Sequence, residues 1–136
     1  MNEHETNARA QPAVEQEELL KLRKAVEASG EVVFLTDREG TITYVNPEFT
    51  RLYGHTAEEV VGKATPRILK SGEMSPADYE AFWRALLDGQ VIRGPLINRT
   101  KNGALITVEG SANPVLDQTG NIIGFMAIQR DVTERM

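Results

Sequence analysis

The sequence predicts an α+β fold: a five-stranded antiparallel sheet with helices between its second and third strands, preceded by an N-terminal helix. Three observations lead to this class. Several apolar runs have the length of strands, and most are joined by short turns rich in Asp, Asn and Gly. Strands joined by such hairpins run antiparallel. The residues between the second and third runs carry helix caps and helical spacing instead.

Composition sets the limits on function. At 136 residues, 40% of them hydrophobic and 26% charged, the chain is expected to form one soluble globular domain with a modest core. Its net charge of −5 argues against nucleic-acid binding, which needs a basic face. No apolar run approaches the length of a membrane span and no signal peptide is evident, so a cytoplasmic setting without membrane contact is expected. The absence of cysteine excludes a disulfide, a thiolate nucleophile and a cysteine-bound metal.

The N-terminal region divides into two predicted parts. Residues 1–12 are polar and lack periodicity, which indicates a disordered leader. Residues 13–29 are predicted to form an amphipathic helix, because Leu19, Leu22 and Val26 follow one another at spacings of three and four. This narrow stripe suits either a short coiled-coil seam between two chains or a helix that lies on the domain.

Turn chemistry sets the strand boundaries. Asp37 and Gly40 occupy the first and fourth positions of one turn, and Asp117 and Gly120 repeat the pattern later. Asn102-Gly103 is a strong short hairpin signal. The predicted strands are Val32–Thr36, Thr41–Val45, Val91–Arg99, Leu105–Leu116 and Ile122–Gln129.

Three helical pieces are predicted between the second and third strands. Asn46 is an N-cap before a proline at the first helical position, and Gly54 ends that helix. Thr56 begins a capping box for a very short helix. Ser75 opens the longest helix, which Gly89 ends. The apolar face of this long helix carries Tyr79, Phe82, Trp83, Leu86 and Leu87.

This order of elements and turns resembles the PAS domain family over about Ala25 to Glu134. Many short motifs carry the resemblance together, and their number, order and spacing make it specific. They are Asp37-x-x-Gly40-x-Ile42-x-Tyr44-Val45-Asn46-x-x-Phe49, Tyr53-Gly54-x-x-x-Glu58-Glu59-Val60-x-Gly62, Ser71-Gly72, Asn98-Arg99-x-Lys101-Asn102-Gly103, Pro114-Val115-x-Asp117-x-x-Gly120 and Asp131-x-Thr133-Glu134-Arg135.

The resemblance implies a PAS fold, with the helices folded over one face of the five-stranded sheet and a small cavity between sheet and helices. It also implies a place upstream of an effector such as a histidine kinase. It implies a homodimer that pairs through the helix before the first strand, here through Leu19, Leu22 and Val26. It also implies that the signal leaves through the helix after the last strand. On this basis the PAS domain spans residues 30–133, and residues 134–136 start a truncated output helix.

Asp131 and Thr133 lie at the junction of the last strand with that output helix. Short polar side chains at such a position can bond backbone groups, so the Asp-x-Thr sequence is interpreted as a joint. Because a joint at the end of a domain connects it to the next segment of the chain, Asp131 and Thr133 are predicted to relay a signal.

Strand alternation predicts a pocket with two amides in it. Asn98 shares a face with Leu96 on the third strand, and Gln129 shares a face with two apolar residues on the fifth. If the helices cover this face, both amides are buried and need hydrogen-bond partners. A flat heterocycle with ring nitrogens and carbonyls would supply them. The predicted pocket residues are Asn98, Gln129, Leu96, Phe125, Ala127 and Trp83.

The amide pair resembles the flavin-binding branch of the PAS family, including the light-oxygen-voltage type, where an Asn and a Gln bond the isoalloxazine. The resemblance implies FAD or FMN as a candidate cofactor. The light-sensing type also needs a cysteine near Pro66, which excludes adduct photochemistry here, and Val108 and Ile92 depart from the residues of flavin-binding relatives. Three states stay open: bound flavin, a different small ligand, or no ligand, with Asn98 capping its own hairpin and Gln129 bonding a neighbour or solvent.

Haem is not expected, because the long helix contains no histidine and the two histidines of the chain, His4 and His55, lie elsewhere. Two histidines this far apart also make a poor metal site, so no metal is predicted. The sequence carries no serine–histidine–acid set and no glycine-rich phosphate loop. The chain is therefore predicted not to be an enzyme.

The sequence thus predicts a non-catalytic sensory input and dimerisation domain of a bacterial signal-transduction protein. A ligand or redox event in the pocket would shift the fifth strand, Gln129 would report it, and Asp131 and Thr133 would relay it to a C-terminal effector. The alternative is an interaction or dimerisation module that binds no small molecule. A cavity filled by the protein's own side chains would favour that alternative.

Overall fold

The computed structural model describes residues 3–133. The chain divides into two compact units between Gly30 and Glu31. No helix within the described residues is both long and apolar enough to cross a membrane. In chain order the elements are α1 (Glu3–Ala28), β1 (Val32–Asp37), β2 (Ile42–Val45), α2 (Pro47–Tyr53), α3 (Ala57–Val60), a 3-10 helix (Pro66–Leu69), α4 (Pro76–Leu87), β3 (Ile92–Arg99), β4 (Leu105–Leu116) and β5 (Ile122–Asp131).

The first unit consists of α1, which begins at Glu3 and so differs from the prediction of a disordered leader over residues 1–12. The alanines, glutamates and arginine of this stretch favour a helix. The prediction gave more weight to the low hydrophobicity of the stretch than to this helix propensity. The predicted output helix at residues 134–136 lies outside the described residues.

The second unit contains one five-stranded antiparallel sheet in the order β2-β1-β5-β4-β3, which confirms the predicted fold class. The last strand of the chain lies in the middle of the sheet, between β1 and β4. In this register Phe34 of β1 faces Ala127 of β5, and Gly110 of β4 faces Gln129 of β5. Because β5 is central, any change at Gln129 acts on two neighbouring strands.

Three hairpin turns in this sheet share one geometry. They begin at Asp37, Thr100 and Asp117, and each ends in a glycine whose N–H donates back to the carbonyl of the first residue at 3.0–3.1 Å. These glycines have φ values of 93°, 94° and 88°, a region that favours glycine. The Asn102-Gly103 signal therefore produces the same turn as the two Asp-x-x-Gly sequences, and the three predicted turns are confirmed.

The helix caps also form as predicted, and one of them ties α2 to the sheet. The Asn46 side-chain oxygen accepts hydrogen bonds from the backbone N–H of Phe49 in α2, at 3.1 Å, and of Val33 in β1, at 3.0 Å. The Asn46 amide group donates to the carbonyl of Glu31 at 2.7 Å. Asn46 is almost fully buried, so this one side chain fixes where α2 leaves the sheet.

The core lies between one face of the sheet and the short helices. Helix α2 ends at Tyr53, which has no exposed surface, and Gly54 follows it in the left-handed conformation. The buried core residues include Val32, Phe34, Ile42, Val45, Phe49, Tyr53, Val60, Leu69, Ile106, Val108 and Ala127.

Candidate functional site

A cavity of about 590 Å³ lies between α4, the 3-10 helix and strands β3 to β5. Its walls are mainly apolar, and its volume falls within the range of pockets that hold small-molecule ligands, roughly 300–1,000 Å³. The side chains of this small domain therefore leave space that a ligand can fill. This is the principal candidate site among residues 3–133.

All six residues that the sequence predicts for the pocket lie on the cavity wall, although their role in binding stays a prediction. Asn98 and Gln129 are buried, with 5% and 8% of their surface exposed. Trp83 reaches the wall from α4, where its ring centroid lies 4.9 Å from that of Phe125. The six are Asn98, Gln129, Leu96, Phe125, Ala127 and Trp83.

Trp83 packs closely because the turn beneath it has no side chain at Gly40. A Cβ atom at Gly40 would lie 3.2 Å from the Trp83 ring, and its positive φ of 93° also favours glycine. The β1–β2 turn and α4 therefore close one side of the cavity together. Since the chain contains a single tryptophan, Trp83 is also a specific fluorescent reporter for this wall.

The two predicted amides are joined by a third buried residue, Tyr53. The Asn98 Nδ2 donates to the Tyr53 hydroxyl at 2.9 Å, and that hydroxyl donates to Gln129 Oε1 at 2.5 Å. Asn98 therefore does not cap its own hairpin, whereas Gln129 does bond a neighbouring side chain, that of Tyr53. The two amides, which lie on the cavity wall, are thus linked by one buried hydroxyl.

Tyr53 is the site residue that sequence reasoning missed. Its ring packs against Phe49, with centroids 5.1 Å apart, as expected of an aromatic at the end of an amphipathic helix. The sequence did carry one indication, because the hydroxyl of a buried tyrosine normally has a hydrogen-bond partner. The partners could not be identified because they lie 45 and 76 residues further along the chain.

The state of the Tyr53 hydroxyl is set mainly by burial, which raises the pKa of Tyr53 well above its ordinary value of 10.0. The hydrogen bond from Asn98 partly opposes this rise, and the carboxylate of Asp131 adds to it. Tyr53 therefore keeps its proton throughout the physiological range and remains a donor to Gln129.

Basic side chains lie at the cavity beside the 3-10 helix. Lys70 Nζ lies 4.7 Å from the centroid of the Tyr79 ring, and the Arg67 guanidinium lies 5.5 Å from it. Glu39 and Glu80 also reach the wall. The mainly apolar cavity therefore also carries charged residues of both signs on this side.

The predicted joint at the end of β5 is a hydrogen-bonded clamp on β4. The Thr133 Oγ1 accepts from the backbone N–H of Thr107 at 2.9 Å and donates to Asp131 Oδ1 at 2.5 Å. The same carboxylate accepts from the Thr133 N–H at 3.0 Å, and the Val132 N–H donates to the Thr107 carbonyl at 2.9 Å. The chain therefore leaves the sheet along a fixed path.

The residues predicted to form a dimer contact lie on α1. Leu19 and Leu22 are 65% and 61% exposed, and Val26 is partly buried. Exposed leucines along one side of a helix are an apolar surface that a partner helix can cover. Their role in dimerisation stays a prediction.

Comparison with known proteins finds a family model, described as the PAS fold, that matches residues 20–132. The nitrogen fixation regulatory protein of Klebsiella pneumoniae is 35% identical over 108 residues, which cover 79% of this chain and 22% of the relative. The hybrid signal transduction histidine kinase L of Dictyostelium discoideum is 31% identical over 115 residues, covering 85% of this chain and 6% of that kinase.

A solved structure of an RNA-binding light-oxygen-voltage receptor superposes with a TM-score of 0.76 and 27% identity, covering 84% of this chain and 33% of the receptor. The chain therefore spans about a fifth or less of the two curated relatives and a third of this structural neighbour. All three likenesses concern one domain of a longer protein.

The buried Tyr53 predicts a loss of stability at alkaline pH. Because the pKa of Tyr53 is raised in the folded state, its contribution is complete below about pH 10, the unfolded value, and is lost as the pH rises above it. Thermal unfolding from pH 8 to 11.5 is expected to show a steeper loss for the wild type than for Tyr53→Phe. Equal slopes for the two proteins above pH 10 would contradict this assignment.

Proposed function

Because the chain belongs to the PAS family, we propose that it is a non-catalytic sensory input domain that binds a planar small molecule in the cavity and passes a signal through β5. The observation that carries this proposal is the cavity itself, which presents two buried amides on otherwise apolar walls. A pure interaction module, the alternative, has no need of such a space. Residues as bulky as Phe82 and Trp83 border the cavity without filling it.

The proposed ligand is a flavin, FMN or FAD. Among the described residues, none provides a hydrogen-bond partner for Asn98 Oδ1 or Gln129 Nε2, and both side chains line the cavity. The ring carbonyls and nitrogens of a flavin fit this pair, and the bound ring would supply redox chemistry there. Likeness to the light-oxygen-voltage receptor supports the same ligand class.

Flavin binding is tested by adding FMN and FAD to the purified chain and recording absorption after dialysis. Asn98→Ala is expected to weaken binding roughly 5- to 150-fold, because it removes a buried hydrogen-bonding group that costs about 1–3 kcal/mol to leave unpaired. Asn121→Ala is the matched control, since Asn121 is exposed in the β4–β5 turn. If neither flavin binds and mass spectrometry of the denatured protein finds no other small molecule, the interaction module replaces this proposal.

Signal transfer is proposed to run from Gln129 along β5 to the clamp formed by Asp131 and Thr133. Gln129 of β5 bonds Tyr53 at the end of α2, and two residues later Asp131 holds the Thr133 side chain against β4. In this proposal β5 has two positions, and a ligand that bonds Gln129 favours one of them. The ligand shifts the equilibrium between the two positions only by the difference in its affinity for them.

This route is tested by hydrogen exchange at the backbone N–H groups of Thr107 and Val132. Ligand binding is expected to change their exchange rates in the wild type and to leave them unchanged in Gln129→Leu. Gln118→Leu is the matched control, because Gln118 is exposed in a turn. A response that survives in Gln129→Leu, at saturating ligand, would remove Gln129 from the route.

Helix α1 is proposed to pair two copies of the chain through Leu19, Leu22 and Val26. Leu19→Lys places a charge on this apolar stripe and is expected to shift sedimentation from dimer to monomer. Glu17→Gln changes the net charge by the same amount and points away from the stripe at helical spacing, so it should leave the dimer intact. An unchanged dimer in Leu19→Lys would place the pairing surface elsewhere.

The effector is proposed to lie C-terminal to residue 133 in a cytoplasmic signalling protein, such as a histidine kinase. The likeness to the Dictyostelium hybrid histidine kinase and to the nitrogen fixation regulatory protein supports an effector of this general kind.

A further inference from the structure

The Tyr53 hydroxyl has a single proton, and this limits how the two amides can be oriented. It accepts from Asn98 Nδ2 at 2.9 Å and donates to Gln129 Oε1 at 2.5 Å. If both amides were flipped, the hydroxyl would donate to Asn98 and accept from Gln129. In either case it donates to one amide and accepts from the other. Two amide oxygens turned toward it would compete for one proton, and two NH₂ groups turned toward it would leave that proton unpaired in a buried site, so the fully bonded arrangement presents opposite groups to the cavity.

We infer that Tyr53 is a specificity-determining residue that makes the cavity select a ring with an N–H and a C=O on one edge, as in a lactam or an imide. This inference rests on the proposed binding of a planar ligand. As oriented in the structure, Asn98 presents its carbonyl oxygen and Gln129 presents its NH₂ group. Both amides bond the same oxygen atom, so their head groups lie side by side and can contact one edge of a ring.

Selectivity follows from the cost of unpaired polar groups. A ring edge with two acceptors, or with two donors, leaves one of the amides without a partner in a buried site. Such a mismatch is expected to weaken binding roughly 5- to 150-fold. Without the Tyr53 hydroxyl each amide can rotate independently, and the pair can then match either kind of edge.

Tyr53 is a positioning residue in this scheme, because it acts through the two amides. Its own hydroxyl uses its proton on Gln129 and accepts from Asn98, and 0% of the residue surface is exposed. The readout must therefore be a ratio of affinities for two ligands, which a general loss of stability would not change selectively.

The test uses lumiflavin and 3-methyllumiflavin, in which a methyl group replaces the hydrogen of the ring N–H between two carbonyls. Binding to the chain is followed by quenching of Trp83 fluorescence, since Trp83 lies on the cavity wall. The wild type is expected to prefer lumiflavin by at least about tenfold. In Tyr53→Phe the preference is expected to fall below about threefold, because both amides can turn.

Tyr44→Phe is the matched control. Tyr44 lies on β2, at the edge of the sheet, and is not among the residues that line the cavity, so the preference should stay at the wild-type value. A preference that persists in Tyr53→Phe overturns the inference and leaves the flavin proposal intact. A wild type that binds neither compound overturns both.

A second measurement needs only the wild type, in case Tyr53→Phe does not fold. Nuclear magnetic resonance of the ¹⁵N-labelled chain resolves the side-chain NH₂ groups of Asn98 and Gln129. Lumiflavin is expected to shift the Gln129 NH₂ signals strongly and the Asn98 NH₂ signals weakly, because Tyr53 already holds the latter group. Equal shifts of the two groups would contradict opposite presentation and overturn the inference.

Discussion

A buried hydroxyl on the last residue of α2 joins an amide of β3 to an amide of β5, and both amides lie on the cavity wall. Tyr53, Asn98 and Gln129 would each cost free energy if left unpaired away from water, and they satisfy one another only when all three are in place. These hydrogen bonds therefore hold the end of α2, β3 and β5 in fixed positions relative to one another. The Asn46 cap ties the start of α2 to β1, so both ends of this helix are anchored to the sheet.

Two neighbouring strands lack side chains at the level of this network, on the wall of the cavity. Gly94 of β3 faces Gly110 of β4, and Gly110 in turn faces Gln129 of β5. Both glycines border the cavity, and a Cβ at Gly110 would clash with the Ile128 carbonyl oxygen. Glycine at position 110 thus lets β4 and β5 approach closely at this level. Because of this register, Gly94, Gly110 and the buried amide of Gln129 lie side by side on the cavity wall.

Much of this fold was predictable because its signals are local. The turns at Asp37 and Asp117 need only their own residues, and strand alternation was enough to place Asn98 and Gln129 on one face. The role of Tyr53 was not predictable, because its partners come from strands far along the chain and its spacing matched a plain core aromatic. The N-terminal extension of α1 was missed for a different reason, since helix propensity and polarity point in opposite directions there.

The position of the joint is set by the same strand that carries Gln129. Residues two apart on a strand share a face, so Asp131 lies on the side of β5 that Gln129 occupies. Its register partner Val108 borders the cavity, and its carboxylate is near enough to raise the pKa of Tyr53. The clamp therefore lies next to a residue of the cavity wall. The proposed signal route would be short, because Gln129 and the clamp lie two residues apart on one strand.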